Sequence, residues 1–406
     1  MVRRGDNMMF KKIYFIPAFL VSLIVCIGMA EAQKINVAKA DKMPRYDTYT
    51  KEKFEAESDL YQEMPYGDKY LEFSIRLPKG WSKGSEGWKA LENDEKGRDA
   101  DKDEVLSTGK ATAVSGGGSR ILGKLRKYFG SDLVGIPSYI DISAVELEFD
   151  LSARNWLINY VQARGLTLEA LEEISDTRAE ALYIIFDKDT SYVVRTAAEI
   201  NGSRVVLVSY YLPEVRWNDE RAVQEKVISS FNFKKPDKTK VEVTRIYSFL
   251  EMLRFDYPST WRLLAPNINT VDTMEARLIN SGINETLNGE ISFHIISTEI
   301  DTTLAQEVSD IKDDIVDMGF DIGDMIEVMD DYKFNTSYLF FNRVEVYKIP
   351  PKKKTRLRAH ELWLAVMAED RYYIIITLIS PSREDDFFNW SRNISTFQRV
   401  VESVRP

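Results

Sequence analysis

A short apolar strand that ends in proline, with a tryptophan three residues on, occurs twice in this chain. Residues 71–81 read LEFSIRLPKGW and residues 249–261 read FLEMLRFDYPSTW. Proline cannot donate to a strand ladder, so Pro78 and Pro258 each close a strand, and Trp81 and Trp261 follow at the same offset. What comes after each copy is also parallel, so the chain reads as one module duplicated. Whatever fold one half adopts, the other half must reach it from a diverged sequence.

The first copy continues with Ile140, Ile142, Val145, Leu147 and Phe149 in an extended, largely alternating stretch. Ser152 can cap a helix that brings Trp156, Leu157, Tyr160 and Val161 to one side. Strands over 179–186, 192–200 and 204–212 follow, the last two joined at Asn201-Gly202, a pair that tolerates the positive φ of a tight hairpin. A helix over 219–230 completes the copy. The lysine-rich stretch 234–240, which contains Pro236, is too polar to bury and marks a domain boundary. The same order then returns: a strand over 290–298, a helix with Leu304, Val308, Ile311 and Ile315 as its buried stripe, strands over 338–347, 361–368 and 372–379, and a closing helix from Glu384. Ser382 and Asp385 are spaced as a capping box for it. The closing helices also end alike, Ile228-Ser229-Ser230-Phe231 against Val401-Glu402-Ser403-Val404.

The fold class implied is α+β: two tandem α/β/α sandwich domains over 66–235 and 242–404, each a largely antiparallel sheet packed with helices. Before them, 33–65 reads as a flexible or loosely helical arm. The stretch at about 82–120, rich in charge, glycine and serine, reads as a loop insertion in the first copy. Ile121, Leu122, Leu125, Tyr128 and Phe129 have helical spacing, which predicts a helix over 121–129.

The Pro-x-x-Trp strand, the central helix, the three-strand meander and the closing Ser-Phe helix resemble the PsbP and Mog1 superfamily, whose bacterial members include exported DcrB-like and LpqN-like proteins. The resemblance covers roughly 66–235 and 242–404. It implies the sandwich fold and a partner-binding, non-catalytic role, and it carries over no catalytic residue.

The chain opens like a secretory signal: Arg3, Arg4, Lys11 and Lys12 precede an uncharged, mostly apolar run, and Ala30-Glu31-Ala32 supplies small residues for cleavage before Gln33. The expectation is export, most simply to the periplasm of a bacterial cell envelope, with an uncleaved membrane anchor as the alternative. The one cysteine, Cys26, lies inside this segment, so a mature chain has no disulfide and no cysteine metal site. Residues 1–32 hold four basic and two acidic residues, so removing them takes the net charge from −10 to −12. Such a balance opposes general nucleic-acid binding.

The motifs that carry chemistry elsewhere are incomplete here. Gly118-x-x-x-x-Gly123-Lys124 approaches a phosphate-binding loop, but Leu125 stands where the magnesium-binding hydroxyl belongs. Asp99, Asp101 and Asp103 begin like a calcium loop, yet Glu104 and Lys110 occupy positions that require glycine and a bidentate acid. His294 and His360 show no two-histidine metal spacing. No Gly-x-Ser-x-Gly elbow occurs, so the reading assigns no catalytic, cofactor or metal residue. Candidate partner contacts are Trp88, which has no counterpart in the second copy, and the basic cluster Lys352, Lys353, Lys354, Arg356 and Arg358, which suits an envelope protein or an anionic membrane surface. The function that fits is a binding or assembly protein. The alternatives are a hydrolase of envelope polymers with paired carboxylates and a carrier that holds a lipid or small ligand.

Overall fold

The computed structural model describes residues 40–84, 120–131, 136–187, 189–266, 269–281, 287–329, 334, 339–352 and 358–406. The first lobe runs α1 (Lys51–Glu57), β1 (Ser58–Glu63), β2 (Phe73–Pro78), β3 (Ser82–Lys83), β4 (Arg120–Phe129), β5 (Tyr139–Glu146), α2 (Ala153–Gln162), β6 (Leu168–Ser175), β7 (Arg178–Asp187), β8 (Thr190–Asn201), β9 (Arg204–Pro213), α3 (Trp217–Ser229) and β10 (Asn232–Phe233). The second runs β11 (Thr244–Phe249), β12 (Leu253–Pro258), β13 (Arg262–Leu264), β14 (Thr273–Ser281), β15 (Leu287–Ser297), α4 (Leu304–Asp317), β16 (Met325–Met329), β17 (Phe341–Ile349), β18 (His360–Ala368), β19 (Tyr372–Pro381) and α5 (Phe387–Ser403).

Each lobe holds a seven-stranded sheet whose strands pair antiparallel, ordered β3-β4-β5-β9-β8-β7-β6 in the first and β13-β14-β15-β19-β18-β17-β16 in the second. These are the same order, strand for strand. The β1–β2 and β11–β12 hairpins match too, with Ser58 opposite Pro78 and Thr244 opposite Pro258. Trp81 and Trp261 each donate their N–H back to the proline carbonyl, at 3.3 and 3.0 Å.

Alternation along the strands divides each sheet into two apolar faces. In the first lobe Ile140, Ile142, Val206, Val208 and Tyr210 face α3 and the β1–β2 hairpin, where Phe73, Ile75 and Leu77 are fully buried. Burying each contributes roughly 1.5–3 kcal/mol. The opposite face packs α2. In the second lobe α4 covers one face through Ile311 and Ile315, while α5 and the β11–β12 hairpin cover the other. A single apolar cluster joins the α2 face of the first sheet to the α5 face of the second. The described residues accordingly form one compact unit.

The matching helix ends have a physical basis. Ser230 Oγ accepts the Arg76 N–H at 2.9 Å and donates to the Val227 carbonyl at 2.7 Å. Ser403 Oγ accepts the Asp256 N–H at 2.8 Å and donates to the Val400 carbonyl at 2.9 Å. In each lobe one serine therefore ties the closing helix to the proline-ended strand. β10 then pairs with Phe73 and Ser74, and Arg405 makes the corresponding bridge to Arg254.

Five expectations change. Asp386, not Ser382, caps α5, accepting the Asn389 N–H, while Ser382 Oγ accepts the Asp385 N–H in the turn before the helix. Residues 121–129 lie in the strand β4 and form no helix, because bulges between Ile121 and Gly123 and between Lys124 and Arg126 interrupt the alternation. Leu125 and Tyr128 thereby reach the same core at a spacing of three, which mimics a helix. The arm from Ala40 onward is ordered: Thr50 caps α1, Phe54 and Met43 are buried, and β1 pairs along the whole of β2. Residues 249–261 contain a hairpin turn, with Leu250 and Glu251 at φ 48° and 62°. The β8–β9 turn centres one residue later than expected, on Gly202-Ser203 between Asn201 and Arg204. Gly202 has φ 65°, and a Cβ there would lie 2.6 Å from Asp237, so this glycine also lets the linker pack close.

Replacing Ser230 or Ser403 by alanine leaves a strand N–H without its acceptor, and each change is expected to cost about 1–2 kcal/mol. Chemical denaturation of the two single variants measures it. A loss in one lobe with none in the other would contradict the equivalence of the two ties.

Candidate functional site

The residues between β5 and α2 turn toward the second lobe. Asp150 commits all of its polar groups there: its N–H donates to Glu242 Oε2 at 3.0 Å, its carbonyl accepts from Ser395 Oγ at 3.0 Å, and its carboxylate accepts from Arg399. Glu242, itself buried, accepts from Thr260. Around this clasp the Arg392 guanidinium lies 3.6 Å from the ring centre of Phe149, Phe149 meets Phe388 edge-on, and Asn159 donates to Ser391 Oγ at 3.3 Å. Burial pulls the Arg392 pKa down to about 10 against the pull of Glu242 and Glu148. The guanidinium thus stays charged at neutral pH, held by acids and an aromatic face.

Beside the clasp opens a cleft of about 330 Å³, lined by Asp150 and Gly202 of the first lobe, Thr239, Lys240 and Val241 of the linker, and Thr244, Asp256 and Arg399 of the second. The linker reaches it because Asn201 accepts the Asp237 N–H at 2.7 Å and donates to the Lys235 carbonyl at 3.0 Å. Asp256 is paired with Arg405 at 2.7 Å. Arg399 Nη1 is buried without a hydrogen-bond partner, while Lys240 is exposed. Among these lining residues Lys240, Arg399 and the Thr244 hydroxyl are the groups that can take an anion through charge-assisted hydrogen bonds.

A second polar cluster lies on the α2 face of the first sheet. Tyr139 and Tyr211 stack at 4.3 Å, and Tyr192 meets Tyr139 at 5.7 Å. Asp141 is 13% exposed and 3.9 Å from Lys124 Nζ, and its Oδ1 is buried with no hydrogen-bond partner. Burial pushes the Asp141 carboxyl above its usual range, and Lys124 and Lys127 offset this only in part. Strand register places Glu290, Ser292 and Ile379 in the second lobe where the first has Tyr139, Asp141 and Tyr211. The helix over this face is also shorter, ten residues in α2 against fourteen in α4. In the second lobe Phe320 and Ile322, just beyond α4, join the apolar cover.

Of the residues singled out by sequence, Lys352 donates to the Gly319 carbonyl at 2.6 Å and pairs with Asp321 at 2.9 Å, so it is anchored at the end of α4. Arg358 is exposed. Trp88, Lys353, Lys354 and Arg356 lie outside the described residues, as do Asp99, Asp101, Asp103 and Gly118. Gly123 and Lys124 sit within β4, where no helix follows to cradle a phosphate. His294 on β15 and His360 on β18 are held by burial below the usual imidazole range, with β19 between their strands. Glu361 is a further buried acid. It accepts from Trp363, Trp390 and three N–H groups of Arg383. Burial alone would raise its pKa, but Arg383 and the two indoles outweigh that and hold it low. Such a saturated carboxylate is a structural joint between β18 and α5. Among the described residues no three His, Cys, Asp or Glu side chains converge as metal ligands, and no helix is long and apolar enough to cross a membrane.

Comparison with solved structures finds a likeness to cyanobacterial PsbP (CyanoP) from Synechocystis sp. PCC 6803, at 13% identity and a TM-score of 0.29, covering 44% of this chain and 93% of that one. DynU16, from the dynemicin biosynthetic locus, matches at 7% identity and a TM-score of 0.10 over 68% of this chain and 82% of its own. At these scores neither likeness bears on function. No protein-family model matches the chain, and comparison with curated proteins finds no match.

Asp141 yields a pH prediction. Its folded pKa is raised, so the folded state keeps its proton to higher pH than the unfolded chain, and stability is lost as pH rises through that folded value. Asp141→Asn is therefore expected to stabilise the protein at pH 7 by about 1 kcal/mol, with the gain shrinking toward pH 4. Melting temperatures of both proteins across that range test it. A gain that grows on acidification contradicts the assignment.

Proposed function

We propose that this chain is an exported binding protein of a bacterial envelope, acting by contact and not by turnover, and that the cleft between its lobes holds a small ligand with an anionic group. One observation carries this reading. The cleft draws its lining from the first lobe, the linker and the second lobe together, and one of its lining residues, Arg399, has a buried guanidinium N–H with no partner. Ligand sites favour such junctions between packed units, and a buried guanidinium N–H gains most from an anionic acceptor. Export rests on the basic and apolar N-terminus with its Ala30-Glu31-Ala32 site.

Titration with a panel of small carboxylates and inorganic phosphate, read by calorimetry and melting temperature, tests the cleft. A ligand at one hundred times its Kd adds about 2.7 kcal/mol of stability. Lys240→Ala is expected to weaken binding about tenfold without unfolding the protein, because Lys240 is exposed. If no member of the panel moves the wild-type melting temperature, the cleft is not an anion site.

The exported form is expected to begin at Gln33, as N-terminal sequencing of the protein recovered from an expressing bacterium would show. Retention of residues 1–32 in a membrane fraction would replace a free periplasmic protein with an anchored one.

A further inference from the structure

The two sheets differ at one edge. In the first, the edge strand β6 is already occupied: Asp41 lies parallel to Ala170, donates its N–H to the Glu169 carbonyl at 3.2 Å and accepts the Leu171 N–H at 3.0 Å. Two residues on, Met43 is buried against Ala170, Leu182 and Val193. An extended segment thus adds to this edge by main-chain pairing and one apolar anchor. The strand order makes β16 the equivalent edge of the second sheet. Among the described residues no segment pairs with its outer side.

An edge of unpaired N–H and C=O groups is a template for another strand, and β16 offers apolar side chains beside it. Met325 and Ile326 are 48% and 39% exposed. The bulge between Met325 and Glu327 leaves regular pairing with β17 only over Glu327, Val328 and Met329. Main-chain pairing alone is therefore too short to hold a partner, and side chains must supply the rest.

Charge says which kind. Residues 310–327 contain seven acidic residues and one lysine. All seven acids are exposed, and the lysine, Lys312, is turned inward onto Tyr347 at 2.7 Å. Asp317, Asp321, Asp324 and Glu327 flank the exposed apolar side chains in sequence; Asp321 pairs with Lys352 and Glu327 lies 3.8 Å from Arg383, so acids still outnumber cations beside this edge.

We propose that β16 is a strand-addition site for an extended segment of a partner protein that is basic along its length and seats an apolar side chain on Met325 and Ile326. The arrangement is that of strand augmentation, in which backbone pairing gives affinity and alternate side chains give specificity. It is independent of the interlobe cleft.

The probe is a fluorescent ten-residue peptide of alternating lysine and valine, measured by anisotropy against the whole protein. It is expected to bind, to weaken as salt rises from 50 to 300 mM because exposed charges are screened, and to lose binding when alternate backbone nitrogens are methylated. A glutamate-valine peptide is expected not to bind. Ile326→Lys, on an exposed side chain that folding does not need, is expected to lower affinity at least tenfold, and so is the triple change Asp317→Asn, Asp321→Asn, Asp324→Asn. Equal binding of acidic and basic peptides overturns the proposal, as does unchanged affinity in Ile326→Lys. Sedimentation of the protein alone completes the test. Dimers that Ile326→Lys dissolves would assign the edge to a second copy of the chain, and binding of anionic vesicles lost in the same variant would assign it to a membrane. Either result overturns the assignment to a basic partner segment.

Discussion

The arrangement of the two lobes turns on Asp150. A residue in a short connection would ordinarily satisfy its backbone with water, yet here the N–H, the carbonyl and the carboxylate are all taken by the second lobe. The contact is specific because each bond needs a different partner in a different place: Glu242 after the linker, Ser395 one turn before Arg399 on α5, and Arg399 itself. Apolar packing supplies most of the energy of the joint, through the cluster that unites Leu157 and Val161 with Trp390 and Phe397. Apolar contact is non-directional. The Asp150 bonds fix which way the lobes meet, and with that they bring Lys240 and Arg399 into the lining of one cleft.

Duplication explains the sheets, and divergence explains everything that distinguishes the lobes. The serine ties at Ser230 and Ser403 and the Pro-x-x-Trp turns are kept because each satisfies backbone groups that the strand order leaves open. Where no backbone group is at stake the copies part. The face under the helix carries Tyr139, Asp141 and Tyr211 in one lobe and Glu290, Ser292 and Ile379 in the other. Across the other face, the buried pair Arg195 and Glu180 of the first lobe, 2.7 Å apart, gives way to Trp363 and Val344 in register. The charged pair is closed by the segment that also occupies β6, since Arg195 donates to the Pro44 carbonyl at 3.2 Å. The apolar replacement needs no such cover.

What could be read in the sequence was what local chemistry dictates. The strands of both meanders, the cap at Ser152 and the shared helix ends follow from alternation, capping hydroxyls and spacing. β4 was hidden because its bulges shift the alternation into a helical rhythm. The turn at Leu250 and Glu251 was hidden because two non-glycine residues take positive φ there, at odds with the residue preferences of such turns. The segment from Ala40 to Glu63 reads as a flexible or loosely helical arm because its anchors, Met43 and Phe54, are isolated apolar residues whose partners are far along the chain. The same reason hid the clasp: nothing around Asp150 signals Glu242, Ser395 or Arg399. Asp141 left a trace that could have been followed, since Tyr139, Asp141 and Ser143 form the alternate face of a strand whose Ile140 and Ile142 face was plain.

The central claim is that two copies of one module behave as a single cooperative body locked at Asp150. Scanning calorimetry of the full chain and of Asp150→Ala measures it directly. The account predicts one wild-type transition whose calorimetric and van't Hoff enthalpies agree, and two resolved transitions in the variant, in which α5 loses its ion pair to the first lobe. A wild-type protein that already melts in two independent steps, unchanged by Asp150→Ala, would contradict it.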